Sequence, residues 1–204
     1  MQQVRGAVGS AALRCEPRAN QSWARVVYLG VSIGQNAKIR LGVPVYQDAD
    51  HVISVCENTV LAYSVRAPNP QFLDAWTRTM DLLAERFPSG VLVITIIERR
   101  VQPPDEVSRT RIRNTVLRHA AQIKAFAYVV EGEGFGAAAV RSALSLISMA
   151  ARYPFPMKVF GVLEEAVPWM LNRPESGAHR DSATKLIGVA HTLRGELKSS
   201  ANTG

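Results

Sequence analysis

The densest chemistry in this sequence is basic. Residues 98–124 hold Arg99, Arg100, Arg109, Arg111, Arg113, Arg118 and Lys124 against three acids. Arg111 and Arg118 are seven apart, so on a helix they share a face. Guanidinium groups arrayed this way suit an acidic protein, a phosphate or a headgroup. Single-stranded nucleic acid also needs interleaved aromatic rings, and this block has none, so nucleic acid is not an expected partner. The expected partner-binding residues are Arg109, Arg111, Arg113 and Arg118. Binding there would be steered by charge and weakened by salt.

Gly132-Glu133-Gly134-Phe135-Gly136-Ala137 fits the pattern G-x-G-x-x-A between a strand and a helix. In dinucleotide folds such glycines let the backbone approach a pyrophosphate. Here Glu131 and Glu133 would repel it, and the next acid is Glu164, too far along to hold a ribose. The loop therefore reads as a turn. Its alternative use is as the rim of a small-ligand pocket, with Gly132 and Gly134 in the loop and Arg141 contacting an anion.

No catalytic set is present. Glu164 and Glu165 are adjacent, about 100° apart on a helix, and do not converge. His119 has no nearby nucleophile, and no G-x-S-x-G signature exists. The four histidines are scattered, with no cysteine or histidine at ligand spacing, so no metal is expected. Two cysteines, Cys15 and Cys56, are too few for a disulfide scaffold. The expectation is a protein without catalytic residues, metal or cofactor.

Composition bounds the rest. The chain has 204 residues, 47% apolar and 20% charged, with a net charge of +7. That suits one folded domain with extensions and excludes a wholly disordered chain. No apolar run approaches the roughly 18 residues of a spanning helix. The first fifteen residues carry Arg5 and Arg14 but no apolar segment, which makes a poor secretory leader. A lipoprotein anchor at Cys15 would need a small residue where Arg14 stands. The expected location is the cytoplasm.

Periodicity sets the elements. Residues 1–22 have no pattern and read as a disordered lead. Residues 23–50 read as an extension or hairpin, in which Pro44 confines its strand to an edge or an end. Residues 52–56 and 60–65 make a hairpin, with Asn58 tolerating the turn. Asn69-Pro70 starts a helix whose apolar face is Phe72, Trp76, Met80, Leu83 and Phe87. Val91 to Ile97 is β-branched without alternation, as a strand buried on both faces requires.

Pro103-Pro104-Asp105-Glu106 opens the arginine-rich helix, with Ile112, Val116, Ala120 and Ile123 inward. Residues 126–130 form another strand. A helix with an inward stripe of Val140, Leu144, Ile147 and Ala151 comes next. Residues 157–160 are a short strand. The last domain helix starts at Leu163 and should end or bend near Pro168. Residues 172–204 read as a linker and a tail helix with Leu186, Val189, Leu193 and Leu197 on one side. The predicted fold is α/β: a mixed, mostly parallel sheet of about five strands with about four helices, over residues 51–171.

Several of these stretches together resemble the STAS fold (sulfate transporter and anti-sigma factor antagonist) in its stand-alone bacterial form, also described as CRAL-TRIO-like. They are the opening hairpin, Leu82-Leu83-Ala84-Glu85-Arg86-Phe87, the strand Val91 to Ile97, and Pro103-Pro104 with Leu117-Arg118-His119-Ala120-Ala121. The close from Val159 to Trp169 completes them. The resemblance spans about 120 of the 204 residues, is carried at the level of fold, and covers proteins of unassigned activity. It implies a regulatory domain acting by protein contact; a homodimer is a further expectation for this chain. Anti-sigma antagonists of this fold carry a phosphorylated serine at the start of the helix after the central strand. Ser108 is the serine at the matching place, without the usual Gly-Leu after it. The CRAL-TRIO likeness implies instead a carrier of a lipid or other apolar ligand, in a cavity lined by Met149, Phe155 or Trp169.

Overall fold

The computed structural model describes residues 44–98, 101–174 and 182–201. The expected lead, most of the 23–50 extension, Arg99, Arg100, residues 175–181 of the linker and residues 202–204 lie outside these residues. Among the described residues, six strands form one sheet in the order β1-β2-β3-β4-β5-β6. They are β1 (Pro44–Gln47), β2 (His51–Cys56), β3 (Thr59–Ser64), β4 (Val91–Ile97), β5 (Ile123–Val130) and β6 (Met157–Phe160). The first two pairings are antiparallel and the other three parallel. The sheet is thus mixed and mostly parallel, one strand larger than the sequence suggested.

β4 has parallel neighbours on both sides, and Val91 to Ile94 have no exposed surface. An unalternating run of branched residues has no polar side to offer water, so it takes the central place. Pro44 opens the edge strand β1, where its missing donor costs no ladder bond. The turn between β2 and β3 differs in detail from expectation. Glu57, not Asn58, takes the positive φ of 55°. Asn58 instead donates its side-chain amide to the Gly90 carbonyl at 3.0 Å, tying the turn to the start of β4.

Among the described residues, five helices cover the sheet: α1 (Pro70–Arg86), α2 (Glu106–Arg118), α3 (Phe135–Ala151), α4 (Leu163–Leu171) and α5 (Ser182–Ala201). Asn69 caps α1 by accepting from the Phe72 amide at 2.8 Å, and Asp105 caps α2 through the Ser108 amide at 2.7 Å. α1 and α2 bury Phe72, Trp76, Met80 and Val116 against Ile53, Val60 and Val93 on one side of the sheet. α4 and α5 bury Leu163, Met170, Leu186 and Leu193 against Leu61, Leu92 and Val129 on the other. α3 runs along β5 and β6, and Tyr153 and Met157 after it join the α1–α2 core.

One open alternative is decided here and two expectations change. The tail helix, free by its sequence to dock, to pair with a partner or to stay mobile, is α5, and it is docked, with Leu186, Ala190, Leu193 and Leu197 buried. α4 continues through Pro168 to Leu171; the proline sits in its last turns, where only one donor is missing. The inward stripe of α3 is weak: Val140 and Leu144 are half-buried, Ala151 is exposed, and Ala137 is the buried residue among those described.

Candidate functional site

The arginine helix faces its neighbour. Arg111 pairs with Asp74 of α1, and Arg118 lies 3.5 Å from Asp81 one heptad further on. Between these pairs Thr77 and Thr115 share a hydroxyl hydrogen bond of 3.1 Å, and His119 Nε2 meets Asp81 at 2.8 Å. The common face of Arg111 and Arg118, expected to be open to a partner, is instead the seam between α1 and α2. Helices side by side place residues seven apart in register, so two acids and two arginines at that spacing meet each other first. Arg109 and Arg113 point away and are exposed. The four arginines therefore do not form one docking patch.

Ser108 is buried in the first turn of α2, beside the capping carboxylate of Asp105. The Ser108 amide, and then its hydroxyl, hold that carboxyl below its ordinary pKa. A phosphate there would face this anion and need room the turn lacks. The glycine loop is also not a phosphate cradle. Gly132 and Gly134 take φ of 106° and 87°. Arg141 Nη1 donates to the Val130 and Gly132 carbonyls, both at 3.1 Å, so this nitrogen braces the loop rather than meeting a ligand.

The helix after that loop is exposed and apolar. On α3, Phe135 is 90%, Leu146 67% and Met149 76% exposed. Ala138, Ala139, Ser142, Ala143 and Ala150 are exposed with them. Among the described residues, no charged side chain stands on this outer face. An open groove of about 330 Å³ runs beneath the end of α3, lined by Met149, Arg152, Tyr153, Phe155, Met157 and Lys158. Tyr153 and Phe155 stack at 5.2 Å in its floor. Met149 and Phe155 thus stand where a cavity was expected. Trp169 does not: it lies on α4 against Phe160 at 5.3 Å, with Arg173 over its ring at 4.3 Å.

A polar network that sequence reading missed lies at the carboxyl ends of the parallel strands. Tyr63 donates its hydroxyl to Glu98 at 2.7 Å, and Arg194 of α5 pairs with Glu131. Glu98 and Glu131 each come directly after the last residue of a strand, and those strand ends are in register. That equivalence was the available signal. Burial, then Glu98, pushes the Tyr63 phenol above its ordinary range, so it stays protonated. The carboxylates are held by Tyr63 and Arg194, which makes this a clasp for α5. Cys56 is likewise quiet: burial, then Glu57, pushes its thiol up to about 11. Among the described residues no cluster of metal-ligating side chains occurs, and no helix is long and apolar enough to cross a membrane.

Comparison with known protein families finds no match. Comparison with curated proteins finds none either. Among solved structures, one match is an uncharacterized protein of the DUF3478 family from Shewanella loihica PV-4, described as having a SpoIIAA-like fold. It is 14% identical, with a TM-score of 0.40, over 57% of this chain and 89% of that one. The architecture itself rests on the strand order and helix placement.

Proposed function

We propose that this chain is a non-enzymatic, cytoplasmic regulatory domain of STAS type that works by docking a protein on the outer face of α3. One observation carries the reading: a helix apolar on nearly every side is left with Phe135, Leu146 and Met149 in water. Helices of that composition are stable when covered, and large exposed apolar surface marks an interaction site. The arginines of α2 play a smaller part, through Arg109 and Arg113 at most. A photo-crosslinking residue placed at Leu146, in cells, tests this. Protein adducts are expected at 146 and not at the exposed control position Leu117 on α2. Equal labelling at both, or none at 146, defeats the proposal.

The groove under α3 favours a second reading, a carrier of an apolar small molecule of CRAL-TRIO type. At about 330 Å³ it is at the lower end of ligand-sized sites, and it is open. Mass spectrometry of protein purified without detergent decides it. A co-purifying lipid that is lost in Met149→Asp supports this reading, and a clean spectrum excludes it.

A further inference from the structure

The outer face of α3 is a helix-pairing seam, and we infer that its occupant is α3 of a second copy of this chain, running antiparallel. The inference rests on the docking role of this face and names its partner.

The spacing comes first. Phe135, Ala139, Ser142, Leu146 and Met149 succeed one another at intervals of four, three, four and three residues. That alternation keeps side chains in line along one side of a helix and is the pattern by which two helices interlock. A strand or a small ligand would need no such repeat. The seam spans nearly all of α3, whose 17 residues make a rod about 25 Å long.

Size and charge then choose the partner. In an antiparallel pair with layers offset by half a heptad, Ala139 meets Met149 of the other copy, and Ser142 meets its Leu146. Each small side chain thus receives a large one, four times over, as close packing requires. The seam has no charge, so a copy of itself brings no like charges together. The ends do carry charge, and of opposite sign. Exposed Glu133 precedes the helix and exposed Arg152 closes it. An antiparallel pair sets the Arg152 end of one copy against the Glu133 end of the other. Antiparallel helices also oppose their dipoles favourably. The surface is complementary to itself, as a two-fold interface must be. A seam one helix wide and about 25 Å long should associate in a concentration-dependent way, in the micromolar range.

The experiment is light scattering and native mass spectrometry of the full chain across micromolar concentrations. A species of twice 22.3 kDa is expected to grow with concentration. Leu146→Glu should weaken it by about tenfold or more without loss of helical signal or melting temperature, since Leu146 is exposed. Glu133→Arg should weaken it, and Glu133→Arg combined with Arg152→Glu should restore it. A chain that stays monomeric throughout overturns the inference. So does a dimer indifferent to Leu146→Glu, or one that the charge exchange fails to restore. A monomer that sediments with phosphatidylcholine–phosphatidylglycerol vesicles through Leu146 assigns the face to lipid and overturns it too. An adduct at 146 with a different protein keeps the docking role and defeats self-pairing. A self-adduct supports both.

Discussion

α3 and α5 are both rich in small and aliphatic residues, yet the fold treats them in opposite ways. α5 follows a proline-containing link, and its sequence alone allowed docking, pairing with a partner or mobility. It is buried along Leu186, Ala190, Leu193 and Leu197. It is fastened in its first turn, where Ser182 and Lys185 meet Glu57, and again further along, where Arg194 meets Glu131. α3 stands inside the domain, between two strands, where burial is the rule. It leaves Phe135, Leu146 and Met149 in water. Position in the chain thus says little about burial. What separates the two helices is whether the sheet beneath is wide enough to receive them. α5 lies over β2 and β3, with strands on either side, whereas α3 lies at the margin on β5 and the four-residue edge strand β6.

The largest test of this contrast makes one chemical change in both places. Leu193→Ala removes a fully buried side chain and should cost about 2–5 kcal/mol in urea unfolding. Leu146→Ala removes an exposed one and should stay within about 0.5 kcal/mol. A comparable loss at both sites would mean that α3 is covered within its own chain.

Glu131→Gln comes next, because it unfastens α5 without touching its apolar contacts. Arg194 would be left half-buried without its counter-charge, at a cost of about 1–3 kcal/mol. Amide exchange in α5 should quicken, while that of α3 should not change. If α5 keeps its protection, apolar burial alone holds it and the clasp is incidental.

Some parts of this fold are readable in residues alone. β4 is, because seven consecutive apolar and β-branched residues admit one environment. The face of α1 is, because Phe72, Trp76, Met80 and Leu83 repeat with the helix. The roles of charged and marginal surfaces are not. Seven-residue spacing tells that Arg111 and Arg118 share a face; the matching spacing of Asp74 and Asp81 on another helix tells where that face turns. Only the pairing of α1 with α2 joins the two facts. The glycine loop matches a motif, but Arg141 bracing its carbonyls depends on the path of the backbone. On α3, apolar residues line both the inner and the outer side, so periodicity matches either, and the stripe of Val140 and Leu144 is one of two. The Tyr63–Glu98–Arg194–Glu131 network joins four separate segments, and its pattern exists only after strands β3 to β5 align.

Acid offers a smaller handle that touches neither helix. Asp48 is mostly buried, and that desolvation would raise its pKa. Hydrogen bonds from His51, Tyr46 and Asn69 outweigh it and hold the carboxyl well below the usual range. The bonds are short: 2.6 Å from the Tyr46 hydroxyl and 2.8 Å from the Asn69 amide. A pKa lower in the folded than in the unfolded chain gives stability that is complete above about pH 4 and lost as pH falls further. Stability should therefore decline on acidification, and the decline should be shallower in Asp48→Asn, which itself costs about 1–2 kcal/mol at neutral pH. Exchange of α5 amides should accelerate with that decline, since a docked helix opens with the whole fold. Exchange in α3, governed by local opening, should lag behind. Parallel acceleration of both would erase the distinction between them.

The smallest effect is expected where the charge is densest. Arg111 and Arg118 pair with Asp74 and Asp81 at the surface, and exposed pairs contribute at most about 1 kcal/mol after screening and side-chain ordering. In a double-mutant cycle of Arg111→Ala with Asp74→Ala, the coupling should fall below about 1 kcal/mol and shrink further in salt. Crosslinking from position 146 should be the same in Arg111→Glu and Arg118→Glu as in the unaltered chain, because these side chains look toward α1 and α3 lies over other strands. If either reversal abolishes the 146 adduct, the docking surface includes the α1–α2 seam. The arginines would then have a second use beyond their pairing, and the bare face of α3 would be one part of a wider interface.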